Sequence, residues 1–205
     1  MLYSETITLI ANNLLKSLMS VKELEKTRLV GGTALALQIG HRKSDDLDFF
    51  GLFDASIDLS ELFENIERVE KAGTSRNMQF FNMNGIKVDF VKYEYPWLKR
   101  EVVSENIRLA SLEDIAALKV NAIIGRGTRK DFIDFDFLLH YFSLKEILGF
   151  YTDKYEKKAS IQMALRNMVF FEDAENDPMP YMLKDFDWDK AKERIKKEVR
   201  LISSC

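Results

Sequence analysis

Cysteine is all but missing from this 205-residue chain. The single one is Cys205, so no internal disulfide can form, and a thiol at the end of a chain is a poor candidate nucleophile. Histidine is nearly as scarce: His41 and His140 are too little material for a zinc cluster or a histidine-dependent triad. No apolar run nears the ~20 residues that span a bilayer. Low-complexity tracts and internal repeats are lacking, and the opening MLYSETITLIANNLL has neither the basic start nor the small-residue cleavage site of a secretion signal. The expectation is a cytoplasmic protein with no membrane partner. A large excess of one charge is absent too. The net −3 gives no global pull toward nucleic acid, so any such binding has to come from a local basic patch.

What is there reads as a globular chain of ordinary composition, with 46% apolar and 31% charged residues, enough for one domain with additions or two small ones. Residues 4–19 carry apolar side chains at helical spacing, with Ser4 as N-cap. TRLVGG (27–32) predicts a strand ending in a tight turn, TALALQI (33–39) a short helix closed by Gly40, and DLDFFGLF (46–53) the next strand. DLSELFENIERVEKAG (58–73) predicts an amphipathic helix with a glycine stop, and RNMQFFNM-NG-IKVDFVKY a hairpin turning at Asn84-Gly85. From SLEDIAALKV onward the pattern is helical, near 112–124, 129–142, 144–150, 154–171 and 188–202, with a proline-containing loop before the last. The expected class is α+β: a core over 1–107 with a small mixed sheet flanked by helices, and a helical region over 108–205 packed on it.

Two aspartates interrupt the strand at 46–53. Side chains two apart on a strand share a face with roots roughly 6.5–7 Å apart, so Asp46 and Asp48 point one way while Leu47 and Phe49 point the other. Such a pair can converge on two divalent ions ~3.5–4 Å apart, and without metal the repulsion raises one pKa or lowers stability. Asp89 of IKVDFVKY completes a triad if its strand runs alongside. Upstream, Gly31-Gly32 lets backbone approach a ligand, and Thr33 with the first helical amides makes an anion site. A solvated edge strand explains D-x-D alone, and an ordinary strand-to-helix turn explains Gly-Gly alone. Jointly they are what phosphoryl transfer requires.

Lys119 falls on the apolar side of its helix, one turn from Ile115 and Ile123. It either snorkels or reaches into a cleft to bind a triphosphate. Around the following turn lie Arg126, Arg129 and Lys130. Thr128 and Asp131 have capping-box spacing, and Lys130 and Asp134 can pair at i,i+4. Arg42 and Ser44, before D-x-D, either hold phosphate or order their loop. FIDFDFLLHYF is read as core and KAKERIKKEVR as a solvated basic face.

A glycine turn, a short helix and D-x-D on a strand resemble the polymerase-β-type nucleotidyltransferases. More closely, GGTALALQIGHRKSDDLDFF, IKVDFVKY, DIAALKVNAIIGRGTRKDFIDFDFLL and FFEDAENDPMPYML are similar to the nucleotidyltransferase toxins of the abortive-infection AbiEii/AbiGii family, over roughly residues 25–190. The chain departs from much of the wider superfamily in carrying Gly-Thr for Gly-Ser and a slightly longer spacing to D-x-D. The resemblance implies a metal-dependent nucleotidyltransferase moving a nucleoside monophosphate from an NTP to an acceptor hydroxyl. Asp46, Asp48 and Asp89 would hold two Mg²⁺ ions (Mn²⁺ is an alternative). Gly31, Gly32, Thr33, Arg42, Ser44, Lys119 and Lys130 would bind nucleotide, Lys119 would be catalytic, and KDFID would supply a functional aspartate, Asp131 in preference to Asp134. It also implies a toxin opposed by an antitoxin protein, with tRNA or another RNA as acceptor. The rival readings are a non-catalytic member binding nucleotide or protein, and a transferase for a small-molecule hydroxyl.

Overall fold

Asn84 and Gly85 both take positive φ, 52° and 83°, as a type I′ turn demands. The hairpin they close lies within a seven-stranded mixed sheet in a computed structural model that describes residues 1–203. Cys205 falls outside the described residues. The strands are β1 (Thr27–Val30), β2 (Leu47–Gly51), β3 (Val69–Ser75), β4 (Met78–Met83), β5 (Ile86–Lys92), β6 (Val102–Ser104) and β7 (Ile107–Leu109), in the spatial order β3-β4-β5-β2-β1-β7-β6. The β2–β5 and β1–β7 pairs are parallel and the others antiparallel. The α+β expectation holds. The chain divides into two compact units, one made of residues 1–94 and 101–110, the other of 95–100 and 111 onward.

In the first unit, alternation along β2 and β5 buries Leu47, Phe49, Val88 and Phe90 on one face. Phe49 stacks on Phe90 with centroids 5.1 Å apart, and Phe63 stacks on Phe90 at 5.6 Å. Helices α1 (Leu9–Met19) and α2 (Gly31–Ile39) belong to this unit, and α2 ends at Gly40 in the left-handed region, φ 66°. Three expectations are corrected. The first helix starts at Thr8, whose hydroxyl accepts the Ala11 amide, while Ser4 lies in a separate 3₁₀ turn. Residues 58–73 form a 3₁₀ turn at Leu59–Leu62 and most of β3, not a helix. Pairing with β4 satisfies that segment's backbone and outweighs helical preferences of a few tenths of a kcal/mol per residue. Strands β6 and β7, three residues each, turn at Glu105 and Asn106, both with positive φ, and carried no sequence signal.

The second unit consists of α3 (Leu112–Gly125), α4 (Arg129–Leu138), α5 (Leu144–Tyr155), α6 (Ile161–Met168), α7 (Glu172–Glu175) and α8 (Trp188–Ser203). A capping box between Ser143 and Glu146 starts α5, which runs past its expected end, and Ser160 caps α6, so the predicted helix over 154–171 is split. Asp114, in the first turn of α3, is fully buried. Lys154 donates to it at 2.7 Å and to the Pro96 carbonyl at 2.9 Å, with its ammonium 4.7 Å from the Trp97 ring centroid. The Leu98 and Lys99 amides donate to the same carboxylate. One buried pair thus joins α3, α5 and the 95–100 segment. Among the described residues no helix is long and apolar enough to cross a membrane.

Replacing Lys154 with Met strands a buried carboxylate. The expected loss is about 3–5 kcal/mol of unfolding free energy, read from urea denaturation. Lys157→Met, at an exposed position, stays within about 0.5 kcal/mol of the parent.

Candidate active site

The parallel register sets Asp48 of β2 directly beside Asp89 of β5, while β1 places Val30 opposite Asp48. Both aspartates alternate with buried apolar neighbours, so they share the sheet face turned away from Phe49 and Phe90. Asp46 is exposed and lies one residue before β2. Gly31 follows Val30 with φ 72°, and a Cβ placed there would stand 2.5 Å from Asp48 Oδ2. Only glycine lets that carboxylate lie against the start of α2. The N-cap of α2 is Val30, which supplies no side-chain acceptor. The helix's own N-cap side chain therefore satisfies none of its first amides.

Asp89 Oδ2 lies 2.8 Å from Lys87 Nζ, while Oδ1 is buried with no hydrogen-bond partner. The hydrogen bond from Lys87 to Asp89 raises the lysine's pKa against the opposing effect of burial, and the charges of Asp48 and Asp46 add to the rise. An ammonium therefore already stands in the field of all three acids. Among the described residues no three His, Cys, Asp or Glu side chains are arranged to hold a metal ion. The donor chemistry nevertheless suits a hard divalent cation: carboxylate oxygens only, one of them buried and unsatisfied, and a second lying over a glycine.

Thr33 of α2 and the residues between α2 and β2 make contacts within the loop. Thr33 is 1% exposed, donates its hydroxyl to the Asp46 carbonyl, and shares a 2.9 Å hydrogen bond with the Ser44 hydroxyl. Its hydroxyl anchors the loop, so any phosphate contact at Thr33 falls to the backbone. Arg42 is buried and donates to the Lys43 carbonyl, and the Ser44 amide donates to the Thr6 carbonyl. Of the two roles left open for Arg42 and Ser44, these contacts are those of loop ordering.

The remaining candidates lie in the second unit. Lys119 is 4% exposed and sits between Asp131 at 3.0 Å and Asp134 at 2.6 Å. It does not snorkel. Arg126 grips Asp131 with two hydrogen bonds, 2.8 and 3.0 Å, and the Thr128 hydroxyl donates to the same carboxylate. Two cations thus balance two carboxylates. Burial pushes the Asp131 carboxyl up, but Lys119 and Arg126 prevail and hold it well below the usual carboxylate range. Asp131 is therefore a permanent anion near pH 7 and no proton shuttle there. The expected pair of Lys130 and Asp134 does not form, because Asp134 turns inward to Lys119, and Lys130 is exposed. The expected Thr128–Asp131 capping box is corrected as well: Thr128 caps no amide of α4, and Asp177 Oδ2 accepts from the Arg129 amide at 2.9 Å. The Arg129 side chain donates to the Ala174 and Glu175 carbonyls and lies 5.2 Å from the Trp188 centroid. Asp177 and Trp188 thereby steady the start of the helix that bears Asp131. The basic residues of α8 are largely spoken for, Lys192 by Glu175 and Asp189, Arg194 by Asp136, and Lys196 by Glu193.

Residues 13–203 match the family described as Nucleotidyl transferase AbiEii toxin, Type IV TA system. The uncharacterized protein aq_aa25 of Aquifex aeolicus (strain VF5) is 35% identical over 184 residues, 84% of this chain and 85% of that one. The crystal structure of JHP933 from Helicobacter pylori aligns with a TM-score of 0.62 at 17% identity, covering 97% of this chain and 94% of that one. That of ANT(2")-Ia in complex with adenylyl-2"-tobramycin aligns with a TM-score of 0.56 at 16% identity, covering 74% of this chain and all of that one. These structural likenesses speak to the fold, which is of the polymerase-β nucleotidyltransferase type.

Lys119→Met would remove the ammonium that faces both buried carboxylates. The expected loss is about 3–5 kcal/mol at pH 7, measured by denaturant unfolding. Because the folded pKa of Asp131 is depressed, its share of the cluster's stability is complete above the unfolded aspartate value of about 3.9 and fades as pH falls through the folded value. The wild-type contribution of Asp131 is therefore flat from pH 6 to 8.

Proposed function

The chain belongs to the AbiEii nucleotidyltransferase toxin family, and on that premise we propose that it transfers a nucleoside monophosphate from an NTP to an acceptor hydroxyl at the acid-bearing face of its sheet. The observation that carries the reading is the in-register pairing of Asp48 with Asp89 beside the glycine start of α2. An acceptor oxygen forms a bond to the α-phosphorus, the bond to the bridging oxygen breaks, and pyrophosphate leaves.

In this reading Asp46, Asp48 and Asp89 are the oxygen donors for Mg²⁺, two ions in all, with Mn²⁺ an alternative. Divalent charge held there would draw phosphate and acceptor oxygens together and ease loss of the hydroxyl proton. Gly31 and Gly32 keep side chains out of the way so that the first amides of α2 can donate to phosphate oxygens. Thr33, Ser44 and Arg42 contribute by holding the loop in which Asp46 lies. The exposed Lys87 stem can carry its ammonium off Asp89 when a stronger cation arrives, and its charge restrains the acids until then. Lys119 enters together with Asp131. The carboxylate keeps the lysine charged and fixes its direction, and Arg126 and the exposed Lys130 add positive charge at the same turn.

The family description supports one finer element of the proposal, toxicity opposed by an antitoxin protein, and to it the proposal adds an RNA acceptor such as tRNA. Incubating purified protein with Mg²⁺, each labelled NTP and total cellular RNA tests the transfer. Label entering RNA supports the full reading. Label on a small molecule moves the acceptor class, and NTP binding without product would leave a non-catalytic nucleotide-binding protein.

Asp48→Asn is expected to lower transfer by about 10²-fold or more with the melting temperature kept. Equal transfer by this variant would remove the proposed chemistry. Gly31→Ala is expected to lose about 1 kcal/mol of stability, because its φ is positive, yet to lose transfer far more severely as the new methyl displaces Asp48. Comparing kcat with urea midpoints checks both.

A further inference from the structure

The motif before β2 reads Ser44-Asp45-Asp46-Leu47-Asp48, three acids where the proposed chemistry employs two. Asp45 faces elsewhere. Its Oδ1 accepts the Thr8 amide at 2.6 Å. Thr8 is the N-cap of α1, so the carboxylate sits at the positive end of that helix, where a negative charge is stabilised. The acid adjacent to the proposed reactive pair is thereby tied to the N-terminal segment.

This is one of a series of contacts in a consistent order. The Tyr3 ring lies over Gly40 so closely that a Cβ there would stand 2.5 Å from it, and the Tyr3 amide donates to the Leu37 carbonyl. Lys43 donates its ammonium to the Glu5 carbonyl. The Ser44 amide donates to the Thr6 carbonyl at 2.9 Å, and Asp45 ends the series on Thr8. Residues 3–8 therefore run alongside 40–45. The strip is itself anchored, with Thr6 and Ile7 buried and the Thr6 hydroxyl donating to the Tyr3 carbonyl. From the other side, Thr33 holds the Ser44 hydroxyl and the Asp46 carbonyl. The backbone of Asp46, which lies one residue before β2, is thus held by α2 on one side and by the N-terminal strip on the other.

We propose that residues 3–8 act as a strap that fixes the loop 40–46 and so sets the position from which Asp46 and Asp48 work, with Asp45 as the positioning residue that closes the strap on α1. The proposal rests on the reading of Asp46 and Asp48 as the reactive pair. Single exposed hydrogen bonds are weak, but successive ones along a short loop remove its freedom together. Misplacing reacting groups by an ångström lowers turnover steeply. Loosening the strap should therefore act on kcat more than on nucleotide KM.

The test compares wild type with Asp45→Ala, Asp45→Asn and Tyr3→Ala. Asn keeps an oxygen to accept the Thr8 amide, and Tyr3 is 41% exposed, so its loss loosens the strap without altering the loop. Three quantities are read: amide exchange across 40–46, Mn²⁺ affinity by the paramagnetic signal of the free ion, and kcat and KM for NTP. Asp45→Ala and Tyr3→Ala should speed loop exchange about 10-fold. Both should weaken Mn²⁺ binding several-fold and lower kcat about 10-fold, with KM within about 2-fold. Asp45→Asn should restore most of each. Unchanged loop exchange in Asp45→Ala, or faster exchange with kcat and Mn²⁺ affinity intact, overturns the strap. Asp45→Asn as damaged as Asp45→Ala overturns the tether and assigns the effect to the charge itself. If wild type transfers no nucleotide, the functional reading fails separately. The strap then stands if Mn²⁺ affinity falls in Asp45→Ala and recovers in Asp45→Asn, and falls if all three proteins bind alike.

Discussion

The parallel register between β2 and β5 is the constraint on which the acid-bearing face depends. It is enforced from the opposite side of the sheet, where Leu47 pairs with Val88 and Phe49 with Phe90, and where buried aromatic rings contribute both area and stacking. A slip of one residue would turn Asp89 in among those rings and bring Val88 or Phe90 out. The polar arrangement is therefore held by apolar packing that never touches it. The Asn84-Gly85 turn supplies the second lock, because a two-residue turn leaves β5 no freedom to slide against β4.

The two units treat charge in opposite ways. On the first, Asp46, Asp48 and Asp89 all act on the Lys87 ammonium, and a buried Asp89 oxygen has no hydrogen-bond partner. On the proposed function that is where a divalent cation would be held. In the second, every buried acid described above has its match: Asp131 and Asp134 with Lys119 and Arg126, Asp114 with Lys154, and Asp136 with Arg194. Balanced pairs of this kind add little net stability over apolar packing, yet removing one member is costly. They dictate which helices neighbour which.

Features whose cause is local could be read from the chain: the hairpin turn, the Gly40 stop, and the alternation that puts Asp48 and Asp89 on one kind of face. Features whose cause is a distant partner could not. Residues 58–73 carry helical spacing, and only the presence of β4 makes part of them a strand. Asp114 looks like a solvated first-turn acid until Lys154, forty positions on, is known to end there. Lys119 was singled out correctly as misplaced on an apolar surface, but Asp134, assigned outward to Lys130, was its partner. Asp45 gave no signal at all, since nothing in SDDLD distinguishes a tether from a ligand. The Asp177 cap of α4 was equally hidden, because its reach of forty-eight residues has no periodicity.

The excursion of residues 95–100 into the helical unit, between two stretches that belong to the sheet unit, bears on how the chain is made. Neither unit is a continuous run of sequence. Pro96, Leu98, Lys99 and Asp114 all emerge from the ribosome before Lys154, so the cradle for that ammonium must wait, hydrated and open, until α5 has been synthesised. The helices cannot be expressed as a free-standing fragment beginning at Ser111 without leaving Asp114 short of its two amide donors. A single cut in the chain therefore cannot separate the two units, because each is made of two stretches of sequence.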